Sequence, residues 1–304
     1  MAPAKTWTPL ALLGVTTDYF KKKGVESPRL NAELLLADVL QCERVRLYVD
    51  FEKPLKEDEI SKYREFVRRR GENREPLQYI VGHAPFLDLK LKVTPAVLIP
   101  RPETEELAEW GSKALETFPA ETNPELKALD IGTGSGCLAL YLAVKNPRAK
   151  VTALELSPEA LAVATENRAL CAAKTPDLET RVEFLQSDVF AALPADRKAS
   201  FHLIVSNPPY IDPDLRATLS PEVDKFEPST ALFSEEKGLQ VLKKILESAH
   251  EWLTPGGKLG LEISPEQSMV LKTLMENSGH YEAVEIRKDI HGRERFVTAT
   301  RKMT

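Results

Sequence analysis

Asn207, Pro208, Pro209 and Tyr210 follow an apolar run, Phe201 to Ser206, that reads as a β-strand. Two successive prolines supply no N–H and restrict φ, so the turn is stiff and its carbonyls have few internal donors. The Asn207 side-chain oxygen and the Pro208 carbonyl can both accept from one flat NH2 group. An amide or aromatic amine is a weak nucleophile because its lone pair is delocalised. Fixing both N–H bonds can turn that nitrogen towards a sulfonium methyl at about 3 Å, and such positioning is worth roughly 7 to 11 kcal/mol at best. Tyr210 is expected to cover the planar group and help exclude water. A turn that uses proline only to end a strand has the same letters, so the reading depends on its surroundings.

Those surroundings include a glycine loop. Gly132, Thr133, Gly134, Ser135 and Gly136 lie between the strand-like Ala128 to Ile131 and a helix-like run, the context of a nucleotide-binding turn. The glycines let the backbone turn sharply, and the following helix N-terminus favours an anionic group such as a carboxylate. The spacing G-x-G-x-G, with Cys137 where a dinucleotide fingerprint has its last glycine, points away from NAD, and no lysine follows to make a phosphate-gripping loop. Glu155 ends the next strand, where a carboxylate can accept from two ribose hydroxyls. Asp188 ends the third, where it can accept from an exocyclic adenine amine. Each acid alone reads as a solvated strand end. In order after the glycine loop they mark the carboxyl edge of a sheet, the usual ligand crevice of open α/β folds.

The elements that must carry these groups alternate. Strands are expected at Ala128 to Ile131, Lys150 to Leu156, Val182 to Gln186, Leu203 to Ser206 and Lys258 to Ile263, with helices such as Pro158 to Cys171 and Gly238 to Leu253 between them. That order implies an α/β fold with a mostly parallel sheet. Two last runs, Ala283 to Ile290 and Arg295 to Thr300, are separated by too few residues for a parallel crossover and must pair antiparallel. The first 80 or so residues read instead as a small helical bundle. Ser27-Pro28 signals a helix start, with an apolar stripe at Leu30, Leu34, Leu35, Val39 and Leu40; a second stripe, Ile60, Tyr63, Phe66 and Val67, stops at Gly71. Alternation from Phe86 to Val93 and then Pro95, Pro100 and Pro102 place the boundary there.

Bulk composition narrows the class. With 304 residues, 42% hydrophobic and 29% charged, the chain is expected to be soluble and globular, with two unequal domains. No apolar run nears the roughly 18 residues of a membrane span, and the N-terminus lacks a cleavable leader pattern, which makes the cytoplasm the default. Cys42, Cys137 and Cys171 show neither a disulfide framework nor zinc spacing, and no metal is expected. The net charge of −5 is uneven: residues 1–90 hold 16 Lys and Arg against 14 Asp and Glu, the remainder 25 against 32. An acidic catalytic part argues weakly against long nucleic-acid substrates, which call for a basic face.

The chain resembles the peptide-chain-release-factor glutamine N5-methyltransferases (HemK/PrmC), within the class I Rossmann-like methyltransferases. The likeness rests on Arg29 to Ala37, Glu75 to Gly82, Leu98-Ile99-Pro100-Arg101-Pro102-Glu103-Thr104-Glu105, Gly132 to Gly136, Asn207 to Tyr210 and Gly292 to Phe296. The Asn-Pro-Pro-Tyr motif alone is shared with adenine-N6 DNA methyltransferases; the segment around Arg101 and the helical N-terminal part are far more specific. The resemblance implies S-adenosylmethionine as cofactor and class 1 peptide chain release factors as partners, methylated at the glutamine of their Gly-Gly-Gln loop. It implies a helical domain over 1–84 that helps to hold the partner, a hairpin linker over 85–100 and a methyltransferase domain over 101–304. Carried over by position, Gly132, Thr133, Gly134, Ser135, Gly136, Glu155, Asp188, Val189 and Asn207 line the cofactor. Asn207, Pro208, Pro209 and Tyr210 receive the glutamine, and Arg101 and Glu103 form a wall of the site rather than an exposed loop ion pair. Glu155 stands where the family often has Asp. Ser264 replaces a more usual Gly, and Ser234 to Gly238 a Gly-Asp-Gly-like turn; neither of these two departures is expected to touch the chemistry.

Two other functions fit the motifs. An adenine-N6 or other nucleic-acid amine methyltransferase would need a basic groove, and a non-catalytic S-adenosylmethionine-binding module would not need Asn207. No direct nucleic-acid or membrane partner is expected.

Overall fold

A computed structural model describes residues 6–303, so both ends of the expected domain spans lie outside the described residues. It divides into two compact units. One holds the chain up to Gly82 together with Ser220–Phe226; the other holds His83–Leu219 and the chain from Glu227. The hairpin expected as a linker therefore belongs to the second unit, and the first unit is discontinuous in sequence.

The first unit is helical: α1 (Pro9–Lys22), α2 (Pro28–Val39), α3 (Arg46–Val49), α4 (Glu57–Gly71) and α5 (Leu77–Val81). Its core gathers Leu13, Phe20, Leu35, Leu36, Leu47 and Tyr63, all at most 2% exposed. The buried stripe of α2 is Ala32, Leu35, Leu36 and Val39, while Leu30 faces out, a rotation of the expected stripe that lets α2 meet both α1 and α4. Ser27 starts α2 as expected but caps it with no side-chain bond. Asn31 ties the first turn of the helix to the residues before it, its Nδ2 donating to the Glu26 and Ser27 carbonyls at 2.9 and 3.2 Å. Gly71 ends α4 without turning left-handed; a Cβ there would lie 2.4 Å from the Tyr19 ring, so close packing explains the glycine.

Ser220–Phe226 joins this unit through Glu222. Arg70, buried, donates from Nε to Asn31 Oδ1 at 2.8 Å and from an Nη to Glu222 Oε1 at 3.0 Å; Arg74 reaches the same oxygen. No local sequence rule could place a residue 152 positions away on Arg70.

The second unit begins with an antiparallel hairpin, β1 (His83–Phe86) and β2 (Leu89–Lys92), followed by α6 (Pro102–Glu116). A seven-stranded sheet follows: β3 (Leu126–Ile131), β4 (Ala149–Glu155), β5 (Val182–Gln186), β6 (Phe201–Ser206), β7 (Leu253–Glu262), β8 (Tyr281–Lys288) and β9 (Glu294–Arg301). Their order is β5-β4-β3-β6-β7-β9-β8, with β9 antiparallel to both neighbours and the first five strands parallel. The connecting helices are α7 (Cys137–Lys145), α8 (Pro158–Ala172), α9 (Leu178–Arg181), α10 (Pro221–Phe226, in the first unit), α11 (Ser229–Leu232), α12 (Glu235–Gly238), α13 (Gln240–Trp252) and α14 (Ser268–Asn277).

Strand alternation sorts the core into two layers, as a sheet covered on both faces requires. Ala128, Leu203 and Val205 face a cluster with α6 and α7, whereas Leu129, Ile131 and Ile204 face one built on α13 and α14. Helix α6 sits close because β7 offers Gly260, whose hydrogen faces the Trp110 ring: a Cβ there would lie 2.3 Å from it. We expect Gly260→Ala to destabilise the fold by about 1–3 kcal/mol, read as a lower urea midpoint at unchanged slope; an unshifted midpoint would show that this contact does not limit α6.

Candidate active site

The chain order reverses between β3 and β6, which pair in parallel with Ile131 opposite Ser206. Both strands end together, so the glycine loop and the Asn-Pro-Pro-Tyr turn leave the sheet side by side, at the switch point where open α/β sheets hold ligands. A Cβ on Gly132 would lie 4.0 Å from the Asn207 carbonyl oxygen, and Ser206 Oγ donates to the Ile131 carbonyl at 2.6 Å.

The crevice is a cleft with about 1020 Å³ of empty space, part of it open solvent. Gly132, Thr133, Gly134, Ser135, Glu155, Asp188, Val189, Asn207, Pro208, Pro209, Arg101 and Thr104 all line it. Gly136, the N-cap of α7, is absent from the lining, although Ser135 and Cys137 on either side of it line the cleft. Gly132, Gly134 and Gly136 have φ of 72, 55 and 83°, the left-handed region that glycine alone enters without strain. Asn167 of α8 holds the loop from behind, donating to the Ser135 carbonyl at 2.9 Å while bonding the Lys92 backbone in both senses.

The acidic groups carry more structure than their strand-end positions announce. Glu155 accepts from the Gly134 N–H at 2.9 Å and the Ser157 N–H at 3.0 Å, so it ties the glycine loop to the start of α8. Asp188 is held by Lys244 at 2.5 Å. Val189 has φ 50°, rare for a β-branched residue; Ser187 Oγ, donating to its carbonyl at 2.7 Å, helps to hold it, and such strain clusters at ligand sites. Leu156 also lines the cleft, 58% exposed, an apolar surface suited to a flat ring. Asp130, the strand-end acid before the loop, went unmarked in the sequence. It is fully buried, its Oδ2 accepts from Thr133 Oγ1 and the Ala139 N–H, and its Oδ1 has no partner. Burial pushes its carboxyl up to about 7.

Behind Asn207 stands a second buried acid. Asn207 Nδ2 donates to Thr104 Oγ1 at 2.9 Å, Thr104 Oγ1 donates to Glu262 Oε2 at 2.7 Å, and Tyr210 Oη donates to Glu262 Oε1 at 3.2 Å. Glu262 is 1% exposed, and burial pushes its carboxyl up to about 7 against the pull of those two hydroxyls. Burial, with Glu262 beside it, likewise raises the Tyr210 hydroxyl. Tyr210 thus points into the protein and is absent from the cleft lining; the expected cover over a planar substrate group is corrected to a brace beneath the turn.

Of the two residues expected to wall the site, Arg101 does so and Glu103 does not. Arg101 lines the cleft but pairs with Glu227 at 2.6 Å, not with Glu103. Glu103 is outside the lining and accepts from Arg293 at 2.9 Å, in the tight turn between β8 and β9. Two residues within the segments of those C-terminal departures, Glu262 and Gly238, support the site, while Ser264 is absent from the cleft lining. Glu262 is the acid behind Asn207. Gly238, at φ 79°, leaves no room for a Cβ, which would lie 2.0 Å from the Tyr210 carbonyl oxygen. Gln267 Nε2 bonds that same carbonyl at 2.9 Å. Cys42, Cys137 and Cys171 are free thiols, and no group of potential metal ligands occurs among the described residues.

Comparison with known proteins resolves the kinship. Residues 11–82 match the PrmC N-terminal domain and residues 108–219 the methyltransferase small domain. A release factor glutamine methyltransferase of Rhodopirellula baltica is 40% identical over 294 residues, covering 96% of each chain. The chain belongs to the release factor glutamine methyltransferase family. The enzyme of that name from Leptospira interrogans is 41% identical, covering 96% of this chain and 98% of its own. Among solved structures, the N-terminal domain of human METTL16 in complex with SAH covers 94% of both chains at TM-score 0.51 and 15% identity. The human METTL16 catalytic domain in complex with the MAT2A 3'UTR hairpin 6 covers 82% of this chain and 83% of its own at TM-score 0.53 and 15% identity. These two likenesses show the class I methyltransferase fold alone.

In this family member the buried Asp130 has a stability consequence. Its folded-state pKa of about 7 lies above the ordinary aspartate value of 3.8, so the folded protein binds the extra proton and loses stability as pH rises through that interval. The stability of Asp130→Asn relative to the original protein should therefore grow between pH 5 and 7 and level off above, in denaturant titrations at each pH; a constant difference would refute the assignment.

Proposed function

We propose that this chain transfers a methyl group from S-adenosylmethionine to the side-chain amide nitrogen of the glutamine in the Gly-Gly-Gln motif of class 1 peptide chain release factors. The observation that carries the reading is Asn207. Its Nδ2 is committed to Thr104, and neither its Oδ1 nor the Pro208 carbonyl accepts from any described residue. Two unclaimed acceptors at the cleft suit one NH2 group, and a glutamine amide supplies it. The full-length relatives, named for this reaction, support the substrate.

The cleft residues fit the cofactor. Three left-handed glycines leave the backbone open to close approach, and two buried oxygens, Asp130 Oδ1 and Ser135 Oγ, lack partners. Gly132 to Gly136 would cradle the amino-acid end, Glu155 the ribose, and Asp188, Val189 and Leu156 the adenine. S-adenosylmethionine supplies, when bound, a methyl group on a positively charged sulfur. The chain's share is to hold the amide nitrogen still, in water-poor surroundings, with both N–H bonds directed to Asn207 and Pro208. Neither acceptor is a strong base, so catalysis rests on positioning. Arg101, fixed by Glu227, would form part of the wall against the substrate main chain. The helical first unit would hold the release factor, and the cytoplasm, where release factors work, is the expected compartment. No described helix is long and apolar enough to cross a membrane.

Incubation with labelled cofactor and either a release factor or DNA and RNA tests the substrate: label is expected on the Gly-Gly-Gln peptide, and label confined to nucleic acid would reject the reading. Asn207→Ala should cut methyl transfer about tenfold or more while cofactor binding persists, whereas wild-type activity would remove Asn207 from the mechanism. Glu155→Ala should weaken cofactor binding by about 1–3 kcal/mol, and unchanged calorimetric affinity would take Glu155 out of the site.

A further inference from the structure

We propose that Thr104 and Glu262 are positioning residues that decide which end of the Asn207 amide faces the reacting nitrogen. The inference rests on the glutamine-methylation reading above. An asparagine side chain is nearly symmetric in shape, with an acceptor at one end and a donor at the other. A substrate NH2 needs the acceptor. Turned over, Asn207 would present its own NH2 to the substrate's, and neither could bond the other.

The hydroxyl of Thr104 makes the choice. It has one hydrogen to give, and that hydrogen goes to Glu262 Oε2 at 2.7 Å. Towards Asn207, at 2.9 Å, Thr104 therefore offers only lone pairs, which accept from Nδ2 and leave Oδ1 for the substrate. Glu262 enforces the direction because a carboxylate has no hydrogen of its own. Thr104 and Tyr210 must both donate to it, so one buried acid sets the Asn207 amide and braces the tyrosine of the same turn.

The choice of residue at this position is costly for folding. Glu262 is 1% exposed, and its hydrogen-bond partners are neutral hydroxyls rather than cations. A buried carboxylate without an ion pair destabilises a fold, and a glutamine of the same size would be easier to accommodate. A glutamine, however, can turn its own NH2 towards Thr104. The threonine hydrogen would then be released to Asn207, and the asparagine would be free to flip. Only an acceptor-only group removes that freedom.

Protonation would have the same effect. The groups acting on Glu262 are Thr104 and Glu103 from α6, Tyr210 from the turn, Arg295 from β9 and Cys137 from α7. Burial outweighs the two hydroxyls and Arg295, and Glu103 adds to it, so the carboxyl is held up to about 7. Below that pH the acid gains a hydrogen that it can donate to Thr104, and the constraint on Asn207 is lost. Turnover should accordingly fall as pH drops through about 7.

The test is steady-state methylation of a release factor by the full-length protein, with Thr104→Val, Thr104→Ser and Glu262→Gln, over about pH 6 to 9. Thr104→Val and Glu262→Gln should lower kcat about 10- to 100-fold, while the S-adenosylmethionine dissociation constant, which also reports folding, stays within about twofold. Thr104→Ser, which keeps the hydroxyl and loses only a methyl, should return kcat to within about threefold of the original. The acid limb near pH 7 should vanish in Glu262→Gln. Unchanged kcat in Thr104→Val or Glu262→Gln, or Thr104→Ser as slow as Thr104→Val, would overturn the proposal while leaving glutamine methylation standing. An original protein that labels no release factor would instead overturn the functional reading on which the proposal rests.

Discussion

The parallel pairing of β3 with β6 is the constraint on which the site depends. Those strands neighbour each other although β4 and β5 intervene in sequence, because the chain lays β4 and β5 on one side of β3 and then returns to the other. Register completes the arrangement: Ile131 opposite Ser206 makes the two segments leave the sheet at the same level. A glycine turn suited to a cofactor and a proline turn suited to a flat amine thus become adjacent through backbone hydrogen bonds alone. A slip of one residue would turn the side chains of β6 to the opposite face and take the turn out of reach.

Around that pairing, the first turn of α6 acts as a fastening point. Arg101 reaches Glu227, Glu103 reaches Arg293, Thr104 reaches both Asn207 and Glu262, Glu105 accepts from the Leu87 N–H and Glu106 from the Ile290 N–H. A helix N-terminus favours acids electrostatically, yet here most of them bind other elements instead of the helix's own N–H groups. Cleft wall, proline turn, hairpin and terminal strands are thereby held to one rigid body. The close seat of α6 over Gly260 allows these short side chains to span the gaps.

Two buried acids, Asp130 and Glu262, flank the site at the ends of β3 and β7. Neither has a cation as hydrogen-bond partner, and burial holds each near neutrality. Such groups weaken a fold, and their presence at strand ends behind the cleft lining follows the general pattern in which function is served at the expense of stability. They do different jobs. Asp130 stiffens the glycine loop through Thr133 and the Ala139 N–H, while Glu262 controls hydroxyls beneath the proline turn.

The sequence by itself determined the strands, the left-handed glycines, the cleft-lining run from Asn207 to Pro209 and the resemblance that names the chemistry. Those features are set within a few residues by periodicity, by φ restrictions at glycine and proline, and by motif spacing. Tertiary structure alone decided that Tyr210 points inwards, that Glu103 serves Arg293, that Asn31 accepts from Arg70, and that Ser220–Phe226 belongs with the helical unit. It also decided that Thr104 meets Asn207 and Glu262 across separations of 103 and 158 residues. The reason is physical: local rules govern backbone conformation and which face is buried, whereas the partner of a buried polar group is whatever packing brings within about 3 Å of it.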